Sequence, residues 1–413
     1  MKKINSKRAI CLFIILFLVT VICFSYNHAN SSQFEKKPKP KRMSAGAFAL
    51  IKKAFEGIDS TKLIDYHVHV VGTGTGNTGN FVNKKMLSDK YPAKHEKFKI
   101  YLNAARVKNI DKVDQQYIEQ LIRLIKKTPH HGKYSLLAFD KNYNYDGTEN
   151  LNKTEFYVSN EYVFSLAKKY PDYFIPVISV HPYRRDAITE LTKYALQGGK
   201  IVKWLPNAMG IDPSDKKCDE FYKKMKEFKL VLLSHAGYEQ AVDAKDDQRF
   251  GNPLLLRKPL DMGVKVIIAH CASLGKSVDL DDPQKKLVNN FTLFIRMMDN
   301  QKYKGLLFAD ISALTQFNRS GKPLKTILGR SELHSRLVNG SDYPLPAVNL
   351  VIHLNSLVES GYITNKESIY LREIFTYNPL LFDFVLKRTL KEPKTKKHLS
   401  PSIFMRNTDL EYK

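Results

Sequence analysis

Asp65-Tyr66-His67-Val68-His69-Val70 is the stretch on which the reading of this chain turns. It follows a helix-like run over 45–58 and has the alternation of a β-strand. Side chains two apart on a strand share a face. The pattern therefore predicts Asp65, His67 and His69 on one side, with Tyr66, Val68 and Val70 on the other. Two imidazoles about 7 Å apart along a strand, at its C-terminal end, can grip a metal ion in a concave site. An ordinary strand whose histidines bond to backbone has the same spacing, so the rest of the chain decides.

Downstream, strand and helix patterns alternate. Strands are predicted over 134–139, 174–180, 200–205, 230–234, 264–269, 306–311 and 336–340, and helices over 186–196 and 219–228. Asn252-Pro253 opens another helix, with a cap followed by a proline at the first position. Asp282-Pro283 opens one more, which would set Leu287, Phe291, Phe294 and Met298 on one face. Eight strands alternating with helices predict a (β/α)8 TIM barrel. The stretch 71–133 is too long for a simple connection. Ile110, Val113, Tyr117, Leu121 and Leu124 mark an amphipathic helix within it, so an inserted helical segment is expected after the first strand, on the catalytic face. The run from Gly72 to Gly79 lacks the Gly-Lys-Ser/Thr ending of a phosphate loop and is expected to be a flexible loop over the site.

The chain has 413 residues, 43% of them hydrophobic, and a formal net charge of +25. That charge attracts anionic surfaces, whether lipid headgroups or nucleic acid. Four cysteines are too few for a disulfide framework, and Cys218 and Cys271 read as free thiols. A basic N-terminus over 1–8 precedes an uncharged, mostly apolar stretch over 9–26. This is read as a transmembrane anchor, with a cleaved signal sequence as the alternative. The basic residues before it favour an exported catalytic domain on the periplasmic or extracellular side. Residues 27–43 form a basic linker, 44–390 the catalytic barrel and 391–413 a loose basic tail.

In a barrel of this kind, function sits at the C-terminal ends of the strands. The first strand ends with His67 and His69, the third with His181, and the fourth carries Lys203. His235, His270 and Asp342 close the fifth, sixth and eighth. An apolar core has no need of such residues in that register, and together they predict a divalent metal. Zinc is the first expectation, with manganese, iron and nickel compatible. Burial would lower the pKa of Lys203, and a neutral amine can add carbon dioxide to give a carbamate that bridges two metals. The alternative is an ammonium paired with Asp342 or with a substrate anion. Arg184 could clamp a substrate carboxylate or phosphate, or be a surface charge at a helix start. His181 lines the pocket or bonds backbone. Asp65 could orient His67 or His69.

Asp65-x-His67-x-His69, Lys203, His235, His270 and Ser341-Asp342-Tyr343-Pro344 together resemble the amidohydrolase superfamily. The resemblance spans roughly 63–388 and includes Tyr377-Asn378-Pro379. It is nearest the metal-hydrolase branch that contains aminocarboxymuconate-semialdehyde decarboxylase. Lys203-Trp204-Leu205-Pro206 is instead similar to the carboxylated-lysine strand of dihydroorotases. The resemblance implies a metal held by His67, His69, His235 and Asp342. His270 would bind a second metal if Lys203 is carboxylated, and otherwise act on the bound water. Asp342 would serve as general acid and base in hydrolysis of an amide, ester or lactone. A decarboxylase on the same barrel is the alternative. A phosphodiesterase or nuclease is weaker, because the deoxyribonuclease branch carries a glutamate where this chain has Lys203. The implied partners are a small-molecule substrate and, through the N-terminal segment, a membrane; nucleic acid is not expected, and a homo-oligomer remains open.

Overall fold

The computed structural model describes residues 43–411. The stretch 9–26, on which the transmembrane reading rested, lies outside them, as do 27–42 of the linker. Among the described residues no helix is long and apolar enough to cross a membrane.

The strands alternate with helices as the sequence pattern requires. They are β1 (Ile64–His69), β2 (Lys133–Leu137), β3 (Phe174–Val177), β4 (Ile201–Trp204), β5 (Val231–Ser234), β6 (Val266–Ile268), β7 (Leu307–Asp310) and β8 (Leu337–Val338). β1 to β3 form one parallel ladder and β4 to β8 another. Two parallel bridges join the ladders. Ile178 pairs with Val202 beyond the end of β3, and Val68 pairs with Tyr343 beyond the end of β8. The backbone bonds Tyr66 N–H to Asn339 O and His69 N–H to Tyr343 O complete the second seam. The result is a (β/α)8 barrel in sequential strand order.

Its interior is apolar because bulky residues from the strands meet there. Val177, Leu233, Ile267, Phe308 and Val338 are fully buried in one cluster with Ile64 and Tyr66. Parallel strands covered on both faces read as such continuous apolar runs.

β1 departs from even alternation. Its pairing with β2 shifts between Asp65 and Val68. An extra residue in a strand turns side chains out of phase. Tyr66 consequently joins the interior cluster, while Asp65 faces the layer of Tyr134, Leu381 and Asp383. There Asp65 Oδ1 accepts from the backbone N–H groups of His67 and Ser341 and so ties β1 to the loop after β8. It orients backbone rather than an imidazole ring.

The inserted segment follows β1. A short strand, Phe81–Val82, and a helix, Pro92–Ala104, precede the helix Val113–Lys126; the short strand pairs antiparallel with Phe156–Tyr157, which follows β2. Val113, Tyr117, Leu121 and Leu124 are buried as their spacing predicts. Ile110 falls before the helix, in a 3-10 turn, and is exposed. Residues 72–79 are not a loose loop. Asp114 accepts from Thr73, Thr75, Thr78 and Asn80, so one buried carboxylate gathers the run into a fixed turn. Lys94 and Lys97 both pair with the buried Glu155, and Lys94 also pairs with Asp243, which clasps the insertion to loops after β2 and β5.

Two helix starts differ from expectation. Asn252 does cap its neighbour, accepting from Leu254 N–H, but a 3-10 turn (Pro253–Leu256) precedes the short helix Arg257–Asp261. Asp282-Pro283 lies instead in the connection of a hairpin, Lys276–Val278 with Leu287–Asn289, and the helix begins only at Asn290. Leu287 is therefore exposed, while Phe291, Phe294 and Met298 are buried on one face. Asn378 has a structural role: its side chain accepts from the N–H groups of Leu380 and Leu381 and caps the helix Pro379–Thr389.

Residues 391–411, expected as a loose tail, close the bottom of the barrel. Leu399, Ile403, Phe404 and Leu410 are buried, and Leu410 belongs to the interior cluster. The N–H of Asn339 donates to Ile403 O, and that of Asn407 donates to the Tyr66 hydroxyl. The basic residues of the segment hid a buried apolar set spaced between them. Phe404→Ala is expected to lower unfolding free energy by about 3–5 kcal/mol, the usual loss for a buried aromatic ring. Urea denaturation checks this, and an unchanged midpoint would mean that the segment is not part of the core.

Candidate metal centre

The strand ends converge as the register predicts. His67 and His69 come from β1, Lys203 from β4, His235 and His270 from just beyond β5 and β6, and Asp342 from the loop after β8. The Nε2 atoms of His67 and His69 lie 3.1 Å apart. Asp342 Oδ1 is 3.3 Å from His69 Nε2 and 3.6 Å from His67 Nε2. Donor atoms sharing a tetrahedral ion at about 2.0–2.1 Å stand roughly 3.3 Å from one another. The trio has that spacing, and its residues form one of two groups among those described whose donor atoms could hold an ion.

The other group is His67, His270 and Asp310. The Nδ1 atoms of both its histidines are already engaged in hydrogen bonds. His67 Nδ1–H donates to Asp310 Oδ2 at 2.8 Å, and His270 Nδ1–H donates to Ser312 Oγ at 2.7 Å. The Ser312 hydroxyl in turn donates to Asp310 Oδ1, which also accepts from the backbone N–H of His270. This network fixes the tautomers. It leaves Nε2 of His67 free to face the trio, the arrangement by which a carboxylate orients a ligating histidine.

His235 Nε2 is buried and has no hydrogen-bond partner among the described residues, with Glu239 Oε2 3.4 Å away. An unpaired buried nitrogen costs free energy unless something takes its lone pair or proton. Its ring lies 5.3 Å from that of His270, which stacks at 5.0 Å on His67. His235 and His270 thus border the trio without joining it.

Lys203 is buried, and its Nζ lies 3.4 Å from His67 Nε2 rather than against a carboxylate. Burial pushes its pKa down to about 8, with Asp310, Asp342 and Glu239 acting the other way. Burial also holds His67, His235 and His270 well below the usual imidazole range, and the Lys203 charge adds to this in all three. Neutral imidazole is the form that binds a metal. Burial raises the Asp342 carboxyl, but the His69 hydrogen bond and the neighbouring histidines outweigh it and hold the group below its ordinary value. An anionic carboxylate beside neutral imidazoles fits a divalent cation.

His270 and Asp342 both have left-handed backbones, with φ of 55° and 59°. Such strain in residues other than glycine is found where function over-determines conformation.

Two expected substrate contacts are otherwise engaged. Arg184 is filled by Asp186, through Nε and Nη2 at 2.8 Å each, and by Asp140. His181 Nε2–H donates to Met209 O, and its Nδ1 accepts from Tyr183 N–H, so both ring nitrogens serve the fold. The sequence reading passed over Asp310, although it ends β7 as the other site residues end their strands. Glu239, Ser312 and Arg319 stand in loops, where no register marks them.

No family profile matches the sequence. No curated protein matches it either. The structure is similar to an uncharacterised TIM-barrel protein from Bordetella bronchiseptica (TM-score 0.46, 15% identity, 70% of this chain and 89% of that one). It is also similar to the 5-carboxyvanillate decarboxylase of Sphingomonas paucimobilis (TM-score 0.44, 11% identity, 71% and 95%). A third is a probable 2-pyrone-4,6-dicarboxylic acid hydrolase of Acinetobacter baumannii (TM-score 0.41, 15% identity, 79% and 97%). Likenesses this distant carry no argument about chemistry. What the chain itself shows is a (β/α)8 fold in which His67, His69 and Asp342 converge where the strands end.

Proposed function

We propose that this protein is a metal-dependent enzyme that hydrolyses an amide, ester or lactone bond in a small molecule. The observation that supports this most is the trio of His67 Nε2, His69 Nε2 and Asp342 Oδ1, at mutual distances of 3.1, 3.3 and 3.6 Å in a buried mouth. A divalent ion bound there, zinc by its ligand chemistry, would lower the pKa of a coordinated water and polarise the scissile group.

The chain's own residues divide the remaining work. Asp310 holds the His67 ring so that Nε2 faces the trio. Asp342, ionised and in reach of both histidines, is placed to take a proton from water and return it to a leaving group. His270, fixed by Ser312 on one nitrogen, has the other available at the mouth. Lys203 supplies either a positive charge or, as an amine that has added carbon dioxide, a further carboxylate ligand.

Elemental analysis of the full chain, purified with bicarbonate and without chelator, tests the proposal. About one divalent ion per chain is expected at least, and its loss in His67→Ala. A content of about two, falling to one in Lys203→Ala, assigns the carbamate-bridged pair. No metal under any loading condition would defeat the proposal.

A further inference from the structure

The molecule's guanidinium groups are not alike. Arg184, Arg296 and Arg330, none of them fully buried, each spend donors on aspartates or glutamates at 2.6–3.2 Å. Arg319 does not. It is 7% exposed, and its one hydrogen bond among the described residues runs from Nη1 to the neutral Ser273 hydroxyl, at 3.0 Å. Its Nε is buried without a partner among the described residues. A buried charge without a counter-ion is costly, and a fold gains nothing by keeping one.

Its place explains the retention. Arg319 lies in the loop after β7, and Ser273 lies in the loop after β6. Asn318, beside it, bonds Gln240 in the loop after β5. Three mouth loops therefore meet at this guanidinium. Its charge is felt by His235, His270 and Glu239, and it in turn feels Glu239, Asp342 and Asp310. It belongs to the same mouth as the metal centre and none of the centre's groups neutralises it by contact.

The free edge has a shape. Nη1 is held by Ser273, which leaves Nε and Nη2 side by side. That edge presents two parallel N–H groups, the fork that grips a carboxylate through both oxygens. Arg184 shows the same edge filled in this way by Asp186.

We propose that Arg319 is a specificity-determining residue that binds a carboxylate group of the substrate at the mouth, beside the centre formed by His67, His69 and Asp342. This deepens the hydrolase reading and rests on it for the word substrate. The substrate class is then a small carboxylic acid. Arg319 acts on binding and orientation and takes no part in proton transfer.

The test is calorimetric titration of the full chain with glutarate, with its neutral diamide and with inorganic phosphate. Each is run on metal-loaded protein and on chelator-treated protein, so that anion binding to a metal is separated from binding to Arg319. Glutarate is expected to bind in both states and the diamide in neither. Arg319→Gln should weaken glutarate binding by about tenfold or more, the worth of a charged bidentate contact. Arg319→Lys, which keeps the charge but not the fork, should weaken it by several-fold and serves if the glutamine variant does not fold. Metal content should be the same in both variants as in the parent. Equal glutarate affinity in either folded variant would overturn the proposal, and so would tighter binding of phosphate than of glutarate. A chain that binds glutarate through Arg319 yet holds no metal would overturn the hydrolase reading while leaving this site standing.

Discussion

Asp342→Asn is expected to lower turnover by roughly two to four orders of magnitude, the usual worth of a positioned general acid–base. The amide oxygen can still face His67 and His69 but can no longer take a proton. Asp342 Oδ1 lies 3.3 Å from His69 Nε2, and the group is held ionised by its hydrogen bond and its histidine neighbours against the opposing effect of burial. The measurement is the rate on a panel of lactones, esters and amides bearing a carboxylate, with metal content determined on the same samples. Full loss of rate with most of the metal retained separates proton transfer from ligation. Unchanged rate would remove Asp342 from the chemistry.

Asp310→Ala should weaken metal binding by about 10–100-fold although no metal contact is removed, as is usual when a ligand's supporting partner is lost. Asp310 is fully buried and accepts four hydrogen bonds. Oδ2 accepts from His67 Nδ1–H, while Oδ1 accepts from the Ser312 hydroxyl and from the N–H groups of His270 and Ser312. Without it, His67 can adopt the other tautomer and turn its lone pair from the trio. Competition with a chelator of known affinity reads the change directly. Ser312→Ala serves as the milder partner, because it unties His270 and leaves the His67–Asp310 bond in place. Equal metal affinity in the parent and in Asp310→Ala would show that the ring is held by packing alone.

The barrel and most of its centre were legible because a strand end is a register position. His67, His69, Lys203, His235, His270 and Asp342 each punctuate an apolar run, and a polar residue there has no role in packing. Asp310 carries the same mark in Phe308-Ala309-Asp310 and was equally readable. Asp65 was misplaced because alternation is a period-2 argument, and a shift between Asp65 and Val68 breaks the period without any glycine or proline to announce it. Arg184 looked free because its partners, Asp140 and Asp186, can be chosen only in three dimensions. Arg319 was invisible for the converse reason. A loop arginine is ordinary in sequence, and only the missing counter-ion singles it out. Residues 391–411 misled through composition: their lysines are on the outside, and the few apolar side chains among them are what the barrel uses.

That last feature has a bearing on how the protein is made. Tyr66 and Asn407 are bonded across 341 positions of chain, and Leu410 sits in the same apolar layer as Ile64 and Tyr66. During translation all eight strands emerge before this layer can be sealed. At about 5–20 residues per second the unsealed barrel persists for seconds on the ribosome, with its lower apolar surface open to other nascent chains. Contacts so distant in sequence also close slowly once the chain is free. Chaperone occupancy should therefore be governed by the arrival of residues 403–410, and ribosome stalling just before them should trap a nearly complete barrel in a form prone to aggregate.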